Sequence, residues 1–190
     1  MEILVGKMDK KGLKIQNNHG DTALHTAIQE RIITLKPKSN PGDFLKKNIE
    51  IIKRLVNEMD ADGLNKQNND SETALHLALL LGEKKNNGIL EMLVEKMDDE
   101  GLNKQHDNGN TALHLAVQQK DIKLVELLLQ KMKNTNLKNN EGKMAIEYMD
   151  EKCMKLLKFF RKNRKSNGMK GIYLPKSFFD DEGEGRRVGG

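Results

Sequence analysis

Five histidines and one cysteine are the side chains of this chain best able to do chemistry. His25, His76 and His114 each stand three residues after a threonine: Thr22, Thr73 and Thr111. The segments are Thr22-Ala23-Leu24-His25-Thr26-Ala27, Thr73-Ala74-Leu75-His76-Leu77-Ala78 and Thr111-Ala112-Leu113-His114-Leu115-Ala116. Imidazoles recurring in one register invite a metal or acid–base reading. The recurrence itself argues against it. Equivalent positions in stacked helical units lie about 8–10 Å apart, the helix packing distance. Zinc holds nitrogen ligands at about 2.0–2.1 Å. His19 and His106 fall in polar turns with no Cys/His ligand beside them. Cys153 has no histidine near it in sequence and reads as a small buried hydrophobe. Gly183-Glu184-Gly185 is acidic and unsuited to cradling phosphate. The expectation is no catalytic residue, no metal site and no cofactor.

The elements that position these residues repeat as well. A worn fourth copy is Met144-Ala145-Ile146-Glu147-Tyr148-Met149, with Glu147 in place of histidine. The threonines are 51 and 38 residues apart, and the fourth copy follows after 33. A phrase precedes each of the first three: Gly12-Leu13-Lys14-Ile15-Gln16, Gly63-Leu64-Asn65-Lys66-Gln67 and Gly101-Leu102-Asn103-Lys104-Gln105. Repetition on this scale means stacked supersecondary units. Each unit reads as a polar turn, a threonine placed to cap a helix, a short helix, then a longer amphipathic one. In Ile122-Lys123-Leu124-Val125-Glu126-Leu127-Leu128-Leu129 the apolar residues follow helical spacing. Two units exceed 33 residues, by 18 and by 5, and both insertions fall between the two helices. The segment at 35–43 carries two of the three prolines and reads as a loop. Such insertions are either tolerated surface loops or part of a functional face.

Composition agrees with an elongated stack. Only 36% of 190 residues are hydrophobic, 32% are charged, and there is no tryptophan. One cysteine excludes an internal disulfide and favours a reducing compartment. No apolar run approaches the roughly 20 residues of a membrane span. The opening Met1-Glu2-Ile3-Leu4-Val5 is too short for a signal peptide's apolar region. The net charge of +5 is a mild bias towards acidic partners.

The 33-residue period, the Gly-x-Thr-x-Leu-His-x-Ala core and the two-helix unit together resemble the ankyrin repeat family. The likeness covers about 1–163: a partial first repeat at 1–11, repeats at about 17–67, 68–105 and 106–138, and a capping repeat at 139–163. A tail of 164–190 follows. There are departures. Alanine replaces the family's usual proline at Ala23, Ala74 and Ala112, and Ser71 stands where the family has glycine. Met59-Asp60-Ala61-Asp62-Gly63 and Met97-Asp98-Asp99-Glu100-Gly101 replace the usual Gly-Ala-Asp connection, so the geometry of this joint stays open.

The resemblance implies an all-α solenoid of stacked helix-turn-helix units with hairpin-like tips and a concave groove lined by first helices. It implies a non-enzymatic module that binds another protein. The histidine would bond its own threonine and the backbone of the next turn, a structural role. The implied tip positions are Asn18, His19 and Asp21, then Asn69, Asp70 and Glu72. Asp107, Asn108 and Asn110 follow, with Asn140, Glu141 and Lys143 last. Groove positions are Gln29 and Glu30, Leu80 and Leu81, and Gln118 and Gln119. The two leucines are either an apolar anchor inside a polar rim or packed under the insertion of their own repeat.

Two tail features carry alternatives. The basic run at 158–165 is the solvated end of a last helix, favourable at its C-terminus, or a binder of nucleic acid or anionic membrane. The acidic run at 180–184 resembles the C-terminal signals of effectors exported by type IV secretion in intracellular bacteria. That likeness implies a secreted effector that binds a host protein and is translocated to the host cytosol or nucleus. The opening inside a repeat is also consistent with the targeting arm of a larger enzyme. The expectation otherwise is a cytoplasmic monomer.

Overall fold

The computed structural model describes residues 11–33, 41–81, 88–151 and 153–155. The opening half-unit, residues 34–40 and 82–87 between the helices, and the basic and acidic runs of the tail lie outside the described residues.

The chain is an all-α repeat stack. First helices are α1 (Ala23–Ile33), α4 (Ala74–Leu80) and α7 (Ala112–Gln118). Second helices are α2 (Pro41–Glu58), α5 (Ile89–Lys96) and α8 (Ile122–Lys131). One-turn helices α3 (Ala61–Leu64) and α6 (Asp99–Leu102) follow α2 and α5, and a 3-10 turn over Gly12–Lys14 holds the same place before repeat one. Two rows result. In one, α1, α4, α7 and a 3-10 turn at Ala145–Tyr148 stack in order; in the other, α2, α5 and α8 do so. In the fourth unit that 3-10 turn replaces the first helix, and helical backbone resumes at 151 and 153–155.

Small residues make the rows close. Ala27, Ala74, Ala78, Ala112 and Ala116 are buried between neighbouring first helices, where side chains this small permit close packing. Leucines fill the space between rows: Leu24, Leu75 and Leu113 from first helices, and Leu55, Leu93 and Leu128 from second helices. All belong to one cluster running from Leu13 to Ala145. Burying each such side chain stabilises by about 1.5–3 kcal/mol.

The loop reading of 35–43 needs correction. Helix α2 already begins at Pro41, so 41–43 are helical. Proline is tolerated at the first helical position, where its missing N–H would have had no partner. Much of the long insertion is helix: α1 has 11 residues against 7 in α4 and α7, and α2 has 18 against 8 and 10 in α5 and α8.

The unusual joint between repeats also has a shape. Asp60 and Asp98 cap α3 and α6, accepting from the amides of Gly63 at 3.0 Å and Gly101 at 2.9 Å. These caps satisfy donors that one-turn helices otherwise leave open. Asn65 then crosses to the next joint and donates to Asp98 at 2.8 Å. A Cβ on Gly101 would fall 1.8 Å from the Asn65 carboxamide oxygen, so glycine there admits the cross-link.

Candidate functional site

Each tip is built by one side chain that closes its own turn. The Asn17 oxygen accepts the amides of His19 and Asp21, both at 2.9 Å. Asn68 accepts those of Asp70 (3.1 Å) and Glu72 (2.9 Å). Asn139 accepts those of Glu141 (3.1 Å) and Lys143 (3.2 Å). In the third tip His106 takes this place, its Nδ1 accepting the Asn108 amide at 3.2 Å. The residue three further on is left-handed every time: Gly20, Ser71, Gly109 and Gly142. A row of glutamines ties the tips together. Gln16 donates to the carbonyls of Gly20 and Gln67, Gln67 to those of Ser71 and Gln105, and Gln105 to those of Gly109 and Lys138. In sequence these glutamines are only the last residue of a recurring phrase. Their recurrence four residues after the glycine of each phrase was the available signal.

The histidines fasten each tip to its first helix. Nδ1 of His25, His76 and His114 accepts the amide of Thr22, Thr73 and Thr111 at 3.2, 3.3 and 3.2 Å. The threonine hydroxyls lie 2.8, 2.8 and 2.9 Å from the same nitrogens. A nitrogen that accepts an N–H holds no proton, so the proton sits on Nε2. His25 Nε2–H donates to the Glu72 carbonyl at 3.0 Å, and His114 Nε2–H to the Lys143 carbonyl at 3.1 Å. Thus these two rings hold the next repeat too. His76 makes the first half of this pattern, and its Nε2 lies near the Asn110 and Lys104 carbonyls without a hydrogen bond of good geometry. Burial pushes His25 and His114 below the ordinary imidazole range. Burial, with the nearby His106, pushes His76 down to about 3.

This bonding leaves no free lone pair for a metal on those three rings. No group of three or more His, Cys, Asp or Glu among the described residues is placed to hold one. Cys153 is buried, and burial beside Asp150 raises its thiol pKa, away from nucleophilic thiolate.

The predicted partner-facing residues divide by exposure. Asn18, His19, Asn69, Asp70, Asp107, Asn108, Asn140, Glu141 and Lys143 are exposed on the tips, and Glu72 is half-buried. Asp21 and Asn110 are buried, and each accepts a side-chain amide from the next tip, Asn68 at 3.3 Å and Asn139 at 2.8 Å. They are internal to the tip edge rather than on it. On the first helices Gln29 and Glu30 are half-buried, and Gln118 and Gln119 are exposed. Gln119 also caps α4 by donating to the Leu79 carbonyl. Leu80 and Leu81 are 44% and 38% exposed at the end of α4. Seven residues of helix put them about 10 Å from the tip.

Charge is uneven. The chain is net positive, yet Asp70, Glu72 and Asp107 gather on adjacent tips. Burial raises the Glu72 pKa, and the Asp70 and Asp107 charges add to it. Lys143 pairs with Glu141 at 3.1 Å and lies over the Tyr148 ring. A polar cleft of about 310 Å³ lies at the joint of α3 and α6. Its lysines are paired, Lys66 with Asp62 at 3.9 Å and Lys104 with Glu100 at 3.1 Å. Among the described residues no helix is long and apolar enough to cross a membrane.

Comparison with known proteins agrees with this geometry. The family described as ankyrin repeats (3 copies) matches residues 44–140 and again 83–166, well over half the chain. No curated protein matches the sequence. Ankyrin repeats are in general modules for protein–protein interaction and typically non-enzymatic. The stacked two-helix units, the threonine–histidine pins and that match lead to one statement: this chain belongs to the ankyrin repeat family.

Proposed function

We propose that the chain is a non-enzymatic docking protein that binds another protein across its groove and tips, anchored on Leu80 and Leu81. One observation carries this. Seven and eight residues after the threonine, repeats one and three place Gln29-Glu30 and Gln118-Gln119, whereas repeat two exposes two leucines. Two apolar side chains in a polar row are what a central hot spot with a polar rim requires. Asp70, Glu72 and Asp107 are charges without a lysine or arginine partner among the described residues. They favour a partner segment that sets Lys or Arg beside its apolar anchor. The lone, buried cysteine supports a reducing compartment such as the cytoplasm.

The test begins with affinity capture by the intact stack and identification of the bound protein by mass spectrometry. The titrated pair is then compared with the Leu80→Ala/Leu81→Ala variant. The expected result is at least tenfold weaker binding, about 1.4 kcal/mol, with the thermal transition retained. Unchanged affinity removes the leucine anchor. If instead the isolated chain binds duplex DNA, with log K falling by about 0.9 for each phosphate neutralised against log salt, the basic-tail alternative replaces this reading. Delivery into a host cell as an effector is the finer form of the same proposal, supported by the acidic tail at 180–184.

A further inference from the structure

The three seams between tips are not alike. At the seam of repeats one and two, the Asn69 amide donates to the His19 carbonyl at 3.0 Å, and its carboxamide to the Asn18 carbonyl at 3.0 Å. Asn68 adds a bond to Asp21 at 3.3 Å. The seam of repeats three and four has the same three. Asn140 donates its amide to Asn108 at 3.2 Å and its carboxamide to Asp107 at 2.8 Å, and Asn139 bonds Asn110 at 2.8 Å. At the middle seam the corresponding residues are Asp107 and His106, and none of the three bonds forms.

Steric and chemical reasons explain the difference. Gly20 and Gly109 sit where a Cβ would come within 2.7 Å and 2.4 Å of the asparagine in the next tip. The closed seam leaves no room for one. Ser71, at the same left-handed position, carries that Cβ. Asp107 has no carboxamide N–H to donate, and it faces the like charges of Asp70 and Glu72. His76 and His106 meet across the seam edge-to-face, ring centres 5.6 Å apart. Each ring's Nδ1 accepts a backbone amide, so each carries its proton on Nε2, and neither Nε2 completes a hydrogen bond of good geometry, although the Asn110 and Lys104 carbonyls lie close to His76. Buried donors without well-formed bonds disfavour the closed form.

The helical side of the same seam is tied. Asn65 reaches Asp98 at 2.8 Å, Gln119 caps α4 at Leu79, and Lys131 donates to the Val94 carbonyl at 3.1 Å. Among the described residues the glutamine bond from Gln67 to Gln105, at 3.0 Å, is the one well-formed bond across the tip edge, with His76 lying near the Asn110 carbonyl without completing a second. We propose that the seam between the second and third repeats is a built-in hinge: the tip edge opens there and pivots on the helix rows. Opening separates residues 68–72 from 106–110 and widens the polar edge beside the exposed leucines. A docking edge hinged at its middle adjusts to a partner without unfolding either half.

The test is amide hydrogen exchange of the full chain, read residue by residue and corrected for intrinsic rates. Gly20, Ser71, Gly109 and Gly142 donate equivalent turn bonds, to Asn17, Asn68, His106 and Asn139. Fraying from the ends of a stack would make the two central amides the slowest. The hinge makes Ser71 and Gly109 the fastest, by about tenfold. A ratio under threefold, or the reverse order, overturns it. The repair variant Ser71→Gly/His106→Asn/Asp107→Asn gives the middle seam the residue types of its neighbours. It is expected to slow the Gly109 amide at least threefold, and an unchanged rate overturns the proposal. If the triple variant does not fold, Ser71→Gly alone is read by the same criterion, since it removes the blocking Cβ.

Discussion

Lowering the pH from 7 to 4.5 is expected to remove several kcal/mol of unfolding free energy, well before the carboxylates of the surface ion pairs are protonated. The cause is the three pinned imidazoles. His25, His76 and His114 are buried neutral, with pKa values held below the unfolded value of about 6.5. The unfolded chain therefore binds protons that the folded chain refuses. Stability is complete above about pH 6.5 and falls as pH drops from there towards each folded value. For His76 that value is about 3. Each unit of pH traversed costs about 1.4 kcal/mol per such group, so His76 alone accounts for about 3 kcal/mol by pH 4.5. Glu72 works the other way, because a carboxyl pKa raised by burial adds stability on acidification and so offsets a part of this loss. Urea midpoints at pH 7, 6, 5 and 4.5 read the effect. A midpoint that stays level over that range contradicts neutral, buried imidazoles.

Leu75→Ala is expected to cost about 3 kcal/mol, within the usual span of about 2–5 kcal/mol for a core leucine. Leu75 is fully buried on α4, the middle first helix. That helix packs against α1, α5 and α7, so the cavity is shared by three repeats. A stack held by nearest-neighbour interfaces transmits the loss to both halves. Urea unfolding should therefore shift to lower denaturant and broaden into two steps. Leu80→Ala, on the same helix but exposed, should move the midpoint by less than about 0.5 kcal/mol. A Leu75→Ala loss below about 1 kcal/mol, or an equal loss at Leu80, contradicts the assignment of the two faces of α4.

Much of this fold is written in residue types at fixed spacing. The threonine three residues before each histidine, the alanines of the first helices and the apolar stripe of Ile122–Lys131 each specify local structure that packing then reinforces. What was not legible is mostly geometry across repeats. Pro41 reads as a breaker in sequence but opens a helix, because proline's meaning depends on whether a turn of helix precedes it. Gln16, Gln67 and Gln105 look like ordinary polar surface, and only the stacking shows each one reaching two carbonyls. Asp21 and Asn110 have the composition of exposed turn residues, yet the next tip buries them. Ser71 stood out in sequence as a departure from glycine. Its consequence depends on how near the following tip comes, which no single repeat encodes.

Everything above rests on the recurring histidines being structural pins between near-copies, with their Nδ1 nitrogens committed to the backbone and unavailable for chemistry. Long-range proton–nitrogen correlation spectra of the imidazoles at pH 7, recorded before and after one equivalent of zinc, test it most directly. His25, His76 and His114 are expected to be neutral with the proton on Nε2, and zinc is expected to leave their signals in place. Protons on Nδ1, or zinc-induced shifts in two or more of these rings, would contradict it.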